Sequence, residues 1–255
     1  MADWKQVPGF EDVLYEKRDD GVARITINRP DVLNALRTQT YEELARAFRD
    51  AGEDPTIGVV VLTGAGERAF SSGGDVRYQR ERTADSARVH LSRTLELGMV
   101  MRNLGKPIIA AVRGYAVGGG HELHLWCEAG GATQWLPIMI GDRRAREMLF
   151  LCRQYDAREA ERMGLVNAVV PLEKLEEEVE AWCQEILDKS PTCLRIAKIA
   201  LNHASDGDFY PSYVHEAELL ALFTGTEEQR EGQRAFLEKR KPDYRQYRRR
   251  VPPGA

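Results

Sequence analysis

Apolar and polar side chains alternate over residues 13–16 and again over residues 22–28. That two-residue period predicts two half-buried strands, joined by a turn at Asp19-Asp20-Gly21. Arg29-Pro30 closes the second strand, because proline has no N–H to continue the pairing. Over residues 38–50 the period lengthens to that of an amphipathic helix, with Thr38 placed to cap it. Residues 58–63 form a continuous apolar run, read as a buried strand. Residues 76–85 are polar and aperiodic and predict a mobile connection. Residues 86–104 predict a long helix, residues 107–112 another buried strand, and a further helix opens soon after. Strands alternating with helices predict an α/β core with parallel strands.

Beyond about Arg143 the periodicity is almost entirely helical, over residues 144–152, 157–163, 172–187, 191–204, 210–223 and 227–238. Only residues 166–170 read as a strand there. A late helical block of this kind either wraps the core or packs against another subunit.

The chain has 255 residues, 43% of them hydrophobic, ample for one sizeable core. Its net charge of −4 offers no global electrostatic support for binding nucleic acid. No apolar run approaches the length of a membrane span, and Met1-Ala2-Asp3-Trp4-Lys5 lacks the apolar stretch of a signal peptide. Cys127, Cys152, Cys183 and Cys193 show neither CxxC nor Cys/His ligand spacing, so all four are expected to be buried thiols of a cytoplasmic protein. No metal and no redox cofactor is expected, since no His/Asp/Glu cluster has ligand spacing. The carboxylates of residues 173–180 are expected to be a solvated helix face, and residues 248–255 a disordered tail.

The candidate chemistry lies in two glycine-rich turns, each between an apolar run and a helix. Val59-Val60-Val61-Leu62 precedes Phe70-Ser71-Ser72-Gly73-Gly74-Asp75, and Ile108-Ile109-Ala110-Ala111-Val112 precedes Gly118-Gly119-Gly120-His121-Glu122. Two such turns can aim two backbone N–H groups at one point, the geometry of an oxyanion hole. The alternative for each turn is steric: glycine where the backbone needs positive φ, or where helix and strand pack closely. Neither turn is a phosphate-binding P-loop or a GxGxxG dinucleotide fingerprint. Glu122 is a candidate acid/base beside the second turn, or else a first-turn carboxylate that complements the helix dipole. His121 and His124 are expected to be polar packing or solvent-exposed.

Taken in order, the motifs resemble the crotonase superfamily of enoyl-CoA hydratases and isomerases along nearly the whole chain. Ile25-Thr26-Ile27-Asn28-Arg29-Pro30 with Asn34-Ala35-Leu36 is similar to the family's opening strand and CoA-contacting turn. Ala69-Phe70-Ser71-Ser72-Gly73-Gly74-Asp75 is similar to its first oxyanion motif, and the stretch from Lys106-Pro107-Ile108 to Gly120 to its second. Ala157-Arg158-Glu159-Ala160 through Gly164-Leu165-Val166 is similar to its later helix–turn–strand. The resemblance implies a spiral ββα core over residues 1–190 and a C-terminal helical region, residues 191–255, that builds trimers or hexamers. It implies an acyl-CoA thioester substrate, with coenzyme A arriving as part of that substrate and no separate cofactor. The thioester carbonyl would sit between the N–H groups of Gly74 and Gly119, with Glu122 as the proton-transfer group. Gly73, Asp75 and Gly118 would belong to the substrate-contacting turns. The backbone around Ala35, Ala69 and Ser71 would face the CoA, Arg37 would meet its phosphates, and Lys239 would reach CoA on a neighbouring subunit.

Within the superfamily, Phe10-Glu11-Asp12-Val13-Leu14-Tyr15-Glu16-Lys17, residues 150–156 and residues 236–243 are spelled most like the 1,4-dihydroxy-2-naphthoyl-CoA synthases and the related ring-opening ketoacyl-CoA hydrolases. Glu122 departs from the synthases, which carry an apolar residue there, and matches the hydratases. Thr224 stands where the synthases place a tyrosine. After Trp126-Cys127-Glu128 the family continues through a strand and an active-site loop. Here Glu128 runs straight into Ala129-Gly130-Gly131, without the segment that carries a second acid/base group. A true deletion there would leave a CoA-binding protein with impaired catalysis as a third reading.

Overall fold

The computed structural model describes residues 3–80, 83–126, 132–206 and 226–248. Its main sheet begins with three antiparallel strands, β1 (Lys5–Val7), β2 (Val13–Lys17) and β3 (Val22–Ile27), and continues in parallel through β4 (Val59–Gly64) and β6 (Ile108–Ala111), in the order β1-β2-β3-β4-β6. The expectation of parallel strands therefore holds for only half of the sheet. The turn at residues 19–21 is too short for a crossover, so β2 and β3 must pair as a hairpin. A second, two-stranded sheet pairs β5 (Ala69–Ser71) with β7 (Tyr115–Ala116) in parallel.

The apolar run of β4 is explained by burial on both faces. Val60 and Leu62 pack with Ile25, Ile27 and the first helices, while Val59 and Val61 pack with Val22 and a late helix. Helix α1 (Thr38–Glu53) turns Tyr41, Leu44, Ala45, Phe48 and Ala51 inward at spacings of three and four, against Leu97 and Met101 of α3 (Ala84–Asn103). Fully buried side chains such as Phe48 and Leu44 contribute about 1.5–3 kcal/mol each. On the opposite face α8 (Leu175–Leu187) buries Val179, Cys183 and Leu187.

A third cluster joins α4 (Gly119–Trp126), α5 (Ala132–Ile140), α6 (Asp142–Leu151) and α7 (Ala157–Met163) through Leu125, Leu136, Ile140, Ala145 and Ala160. Helices α9 (Pro191–Asp206) and α10 (Glu227–Leu237) follow. Among the described residues no helix is long and apolar enough to cross a membrane.

Several expectations are corrected. Thr38 is the first helical residue of α1 and Arg37 precedes it as the cap residue, where the Arg37 N–H donates to Thr40 Oγ1 at 3.1 Å. Residues 76–80 are not an aperiodic link but a short helix, α2 (Val76–Arg80), because Asp75 Oδ1 accepts from the N–H groups of Arg77 and Tyr78 at 3.1 and 3.4 Å. Helix α5 has no counterpart in the sequence reading, since Pro137 inside it interrupts the helical signal. Residues 166–170 form no strand. Gly164 ends α7 at φ 79°, and the Val169 N–H is satisfied by Glu161 Oε1 at 3.0 Å rather than by a neighbouring strand.

Cys152 is exposed, contrary to expectation, because it ends α6 in the left-handed region at φ 49°. Cys183 is buried and Cys193 partly so, while Cys127 lies outside the described residues. The carboxylates Glu173, Glu176 and Glu177 are exposed, as expected. Glu176 pairs with Arg24 at 2.6 Å and also with Arg113, and Glu180 pairs with Arg18 at 2.8 Å, so both hold α8 to the sheet. Arg248 is ordered, donating to the Ile186 carbonyl at 3.1 Å. The remainder of the tail, the helix expected at residues 210–223, Thr224 and the Glu128–Ala129 junction lie outside the described residues.

Candidate active site

The short β5–β7 pair sets the turn that follows each strand beside the other, in the register Ala69↔Tyr115 and Ser71↔Ala116. Each glycine then permits a contact that a side chain would block. Gly73 has φ 88°, and a Cβ there would lie 2.7 Å from the Val117 carbonyl oxygen and 3.3 Å from the Gly119 nitrogen. A Cβ on Gly119 would lie 2.7 Å from Tyr41 Oη, 3.2 Å from Leu36 Cδ1 and 3.9 Å from the Gly74 nitrogen. The Gly74 and Gly119 amides thus border one small space.

Hydrogen bonding leaves both amides available. Leu36 N–H donates to the Gly73 carbonyl at 2.8 Å, and Asp75 N–H donates to the Leu36 carbonyl at 2.9 Å. A trans peptide points its C=O and its N–H in opposite directions, so fixing the Gly73 carbonyl on Leu36 aims the Gly74 N–H away from it. Gly120 N–H and Glu122 N–H are occupied by Val117 and Gly118 carbonyls at 2.9 and 3.0 Å. The Gly119 amide opens α4, whose first N–H groups have no partner within the helix. Among the described residues neither the Gly74 nor the Gly119 N–H donates to a protein acceptor.

Glu122 sits in the first turn of α4, half-buried, and burial raises its carboxyl above the usual range. Among the described residues no charged or hydrogen-bonding neighbour opposes that shift. A carboxyl moved toward neutrality is better matched to giving and taking protons near pH 7. His121 and His124 pack on each other, Nδ1 to Nε2 at 2.9 Å, and burial lowers both, His124 to about 3. They are neutral polar packing, as expected.

The structure brings most of the sequence-predicted residues into one cluster. Asn34 Nδ2 donates to the Ala69 carbonyl at 2.8 Å, and Ser71 Oγ donates to the Asn34 carbonyl at 2.8 Å, tying the turn that carries Ala35 to the one that carries Gly73, Gly74 and Asp75. Ser71 is fully buried, so its hydroxyl shapes the turn. A shallow cleft lined by Pro30, Leu33, Asn34, Gly66, Arg68 and Ala69 adjoins it. A Cβ on Gly118 would lie 3.8 Å from Gly73 Cα across the two turns. Arg37 is engaged by carboxylates, donating to Asp12 Oδ1 and Oδ2 and to Glu11 Oε1, each at 2.8 Å. Lys239 stands apart, exposed just after α10 at φ 55°.

Three residues of the cluster escaped the sequence reading. Tyr41 reads as a core position of α1, and only the fold puts its hydroxyl against Gly119. Gln79 lies in the stretch read as mobile, and its amide occupies the place a Cβ on Gly74 would take. Arg29 reads as a strand terminator. Its guanidinium in fact holds Asp75 at 3.0 Å.

The fold is shared with known proteins. The family model described as enoyl-CoA hydratase/isomerase matches residues 17–130 and 127–248. Its two matches meet where Glu128 runs into Ala129. An enoyl-CoA hydratase from Bacillus anthracis is 31% identical, with a TM-score of 0.87 over 92% of this chain and 99% of that one. An enoyl-CoA hydratase subunit I from Geobacillus kaustophilus HTA426 is 33% identical, with a TM-score of 0.85 over 91% of this chain and 97% of that one. An enoyl-CoA hydratase/carnitine racemase from Magnetospirillum magneticum is 29% identical, with a TM-score of 0.84 over 93% and 96%. With a backbone shared over nearly its full length with such proteins, the chain belongs to the enoyl-CoA hydratase/isomerase family.

Proposed function

We propose that the protein is an acyl-CoA lyase of the hydratase type, adding water across the C2=C3 bond of an enoyl thioester. The observation that carries this reading is the pair of unpartnered Gly74 and Gly119 amides with half-buried Glu122 on the helix that Gly119 opens. Glu122 takes a proton from water as the water oxygen bonds to C3. The C2=C3 electrons move toward the thioester carbonyl, and the enolate oxygen is held by the two amides. Glu122 then returns its proton to C2, which restores the carboxylate. The oxyanion site needs no metal or redox group for this sequence. The C-terminal helices would assemble trimers or hexamers.

A second reading, dihydroxynaphthoyl-CoA synthase or a ring-opening ketoacyl-CoA hydrolase, is favoured by the spelling of residues 10–17, 150–156 and 236–243. A third, CoA binding without turnover, is favoured by the junction at Glu128. Turnover of crotonyl-CoA, o-succinylbenzoyl-CoA and 2-ketocyclohexanecarboxyl-CoA separates them, with the intact mass measured on the same sample. Hydration of crotonyl-CoA, lost in Glu122→Gln by roughly 10²–10⁴-fold, is the expected result. Conversion of o-succinylbenzoyl-CoA alone would replace it with the synthase. Tight binding of coenzyme A with inertness toward all three, at a mass of 28.8 kDa, would favour the third reading.

A further inference from the structure

We propose that Arg29 and Asp75 form a positioning pair that sets the direction of the Gly74 amide by clamping the two turns on either side of it. This rests on the reading of Gly74 as an oxyanion donor. The Arg29 and Asp75 side chains are only 16% and 12% exposed, so this is a largely desolvated pair rather than a surface contact. Arg29 Nη2 donates to Asp75 Oδ2 at 3.0 Å, its Nη1 donates to the Ala35 carbonyl, and its Nε lies 3.5 Å from buried Asp12.

Ala35 and Asp75 are the neighbours of Leu36 and Gly74, which form the bridge between the turns. One guanidinium therefore closes a ring around the Leu36 N–H to Gly73 carbonyl bond at 2.8 Å. That bond orients the 73–74 peptide plane, and the planarity of the peptide hands the orientation on to the Gly74 N–H. The other Asp75 oxygen accepts from Arg77 and Tyr78 N–H groups at 3.1 and 3.4 Å, so the same carboxylate also seats α2 and its Gln79 amide beside Gly74. Asp75 thus serves the site through its neighbours, without itself facing the substrate. Spanning two acceptors on different turns in fixed directions suits the planar fork of a guanidinium and not an ammonium.

The test compares Asp75→Asn, Arg29→Gln and Arg29→Lys with Arg18→Gln. Arg18 is a similarly buried arginine, but it pairs with Asp20 and Glu180 at the far end of β2. Amide hydrogen exchange in the free proteins should quicken selectively at Leu36 and Asp75 in the three clamp variants and not in Arg18→Gln. Unchanged exchange at those amides would overturn the proposal whatever the enzyme's substrate. On the thioester that the wild type accepts, kcat should fall roughly tenfold. That falls short of the roughly 10²–10³-fold cost of deleting such a donor outright. The affinity for coenzyme A itself should stay at the wild-type value. Loss of kcat in Arg18→Gln to the same degree would reduce the effect to general stability and overturn the positioning role. A wild type that turns over no thioester would defeat the proposed function, and the exchange measurement would still decide the clamp.

Discussion

Replacing Gly119 by alanine adds one methyl group at a point 2.7 Å from Tyr41 Oη and 3.2 Å from Leu36 Cδ1. A carbon cannot sit 2.7 Å from a hydroxyl oxygen without displacement, and both neighbours are buried, Tyr41 at 3% exposure and Leu36 at 0%. Overpacking of this kind costs about 1–3 kcal/mol. In a chain of this size that lowers Tm by about 2–4 °C per kcal/mol. Gly119 opens α4 without positive φ, so backbone strain adds nothing and the whole penalty is steric. Tyr41→Phe removes the atom that is struck. The stability of Gly119→Ala, Tyr41→Phe and the double variant, measured by urea unfolding, should therefore be non-additive. The expected coupling is about 1–2 kcal/mol, within the range seen for residues in contact. Activity separates from stability here. The alanine methyl pushes the Gly119 amide out of place, so turnover should drop by up to roughly 10²-fold in Gly119→Ala and recover in part in the double variant. Additivity to within about 0.3–0.5 kcal/mol would refute the contact. Wild-type turnover in Gly119→Ala would refute the role of its amide.

Two further outcomes follow from single groups. Burial raises the Glu122 carboxyl above its unfolded value, so the native state binds more protons than the unfolded chain between the two pKa values. Stability should accordingly fall as pH rises through that window. Glu122→Gln should be more stable than wild type at pH 7, with the advantage vanishing below the unfolded value of about 4.5; equal stability at both pH values would contradict it. Glu43 Oε2 accepts the backbone N–H groups of Glu11, Asp12 and Val13 at 2.9, 2.8 and 3.2 Å. Glu43→Ala strands those donors and should cost about 1–3 kcal/mol in urea unfolding, and a loss under about 0.5 kcal/mol would show the nest to be dispensable.

Most of the core was legible because its signals are local. Alternation along β2 and β3, the two-sided apolar run of β4 and the three-and-four spacing of α1 each report one face of one element. The family resemblance was equally legible, since it lies in contiguous motifs around Gly74 and Gly119. What failed was local signal overridden or masked. Pro137 hid α5, a carboxylate at Asp75 turned a polar stretch into α2, and residues 166–170 found no strand to pair with.

The sequence by itself determined the elements, the family, and the two glycine turns with a glutamate beside one of them. The resemblance placed Arg37 and Asp75 among substrate contacts. Tertiary structure decided their partners: Arg37 is engaged by Asp12 and Glu11, and Asp75 by Arg29. Only the fold brings Tyr41 against Gly119, and only the bridge at Leu36 aims the Gly74 amide. The physical reason is range. Periodicity and turn chemistry act over a few residues, whereas the direction of an amide and the partner of a charge depend on chain segments roughly 25 to 80 positions apart, brought together by burial of the core.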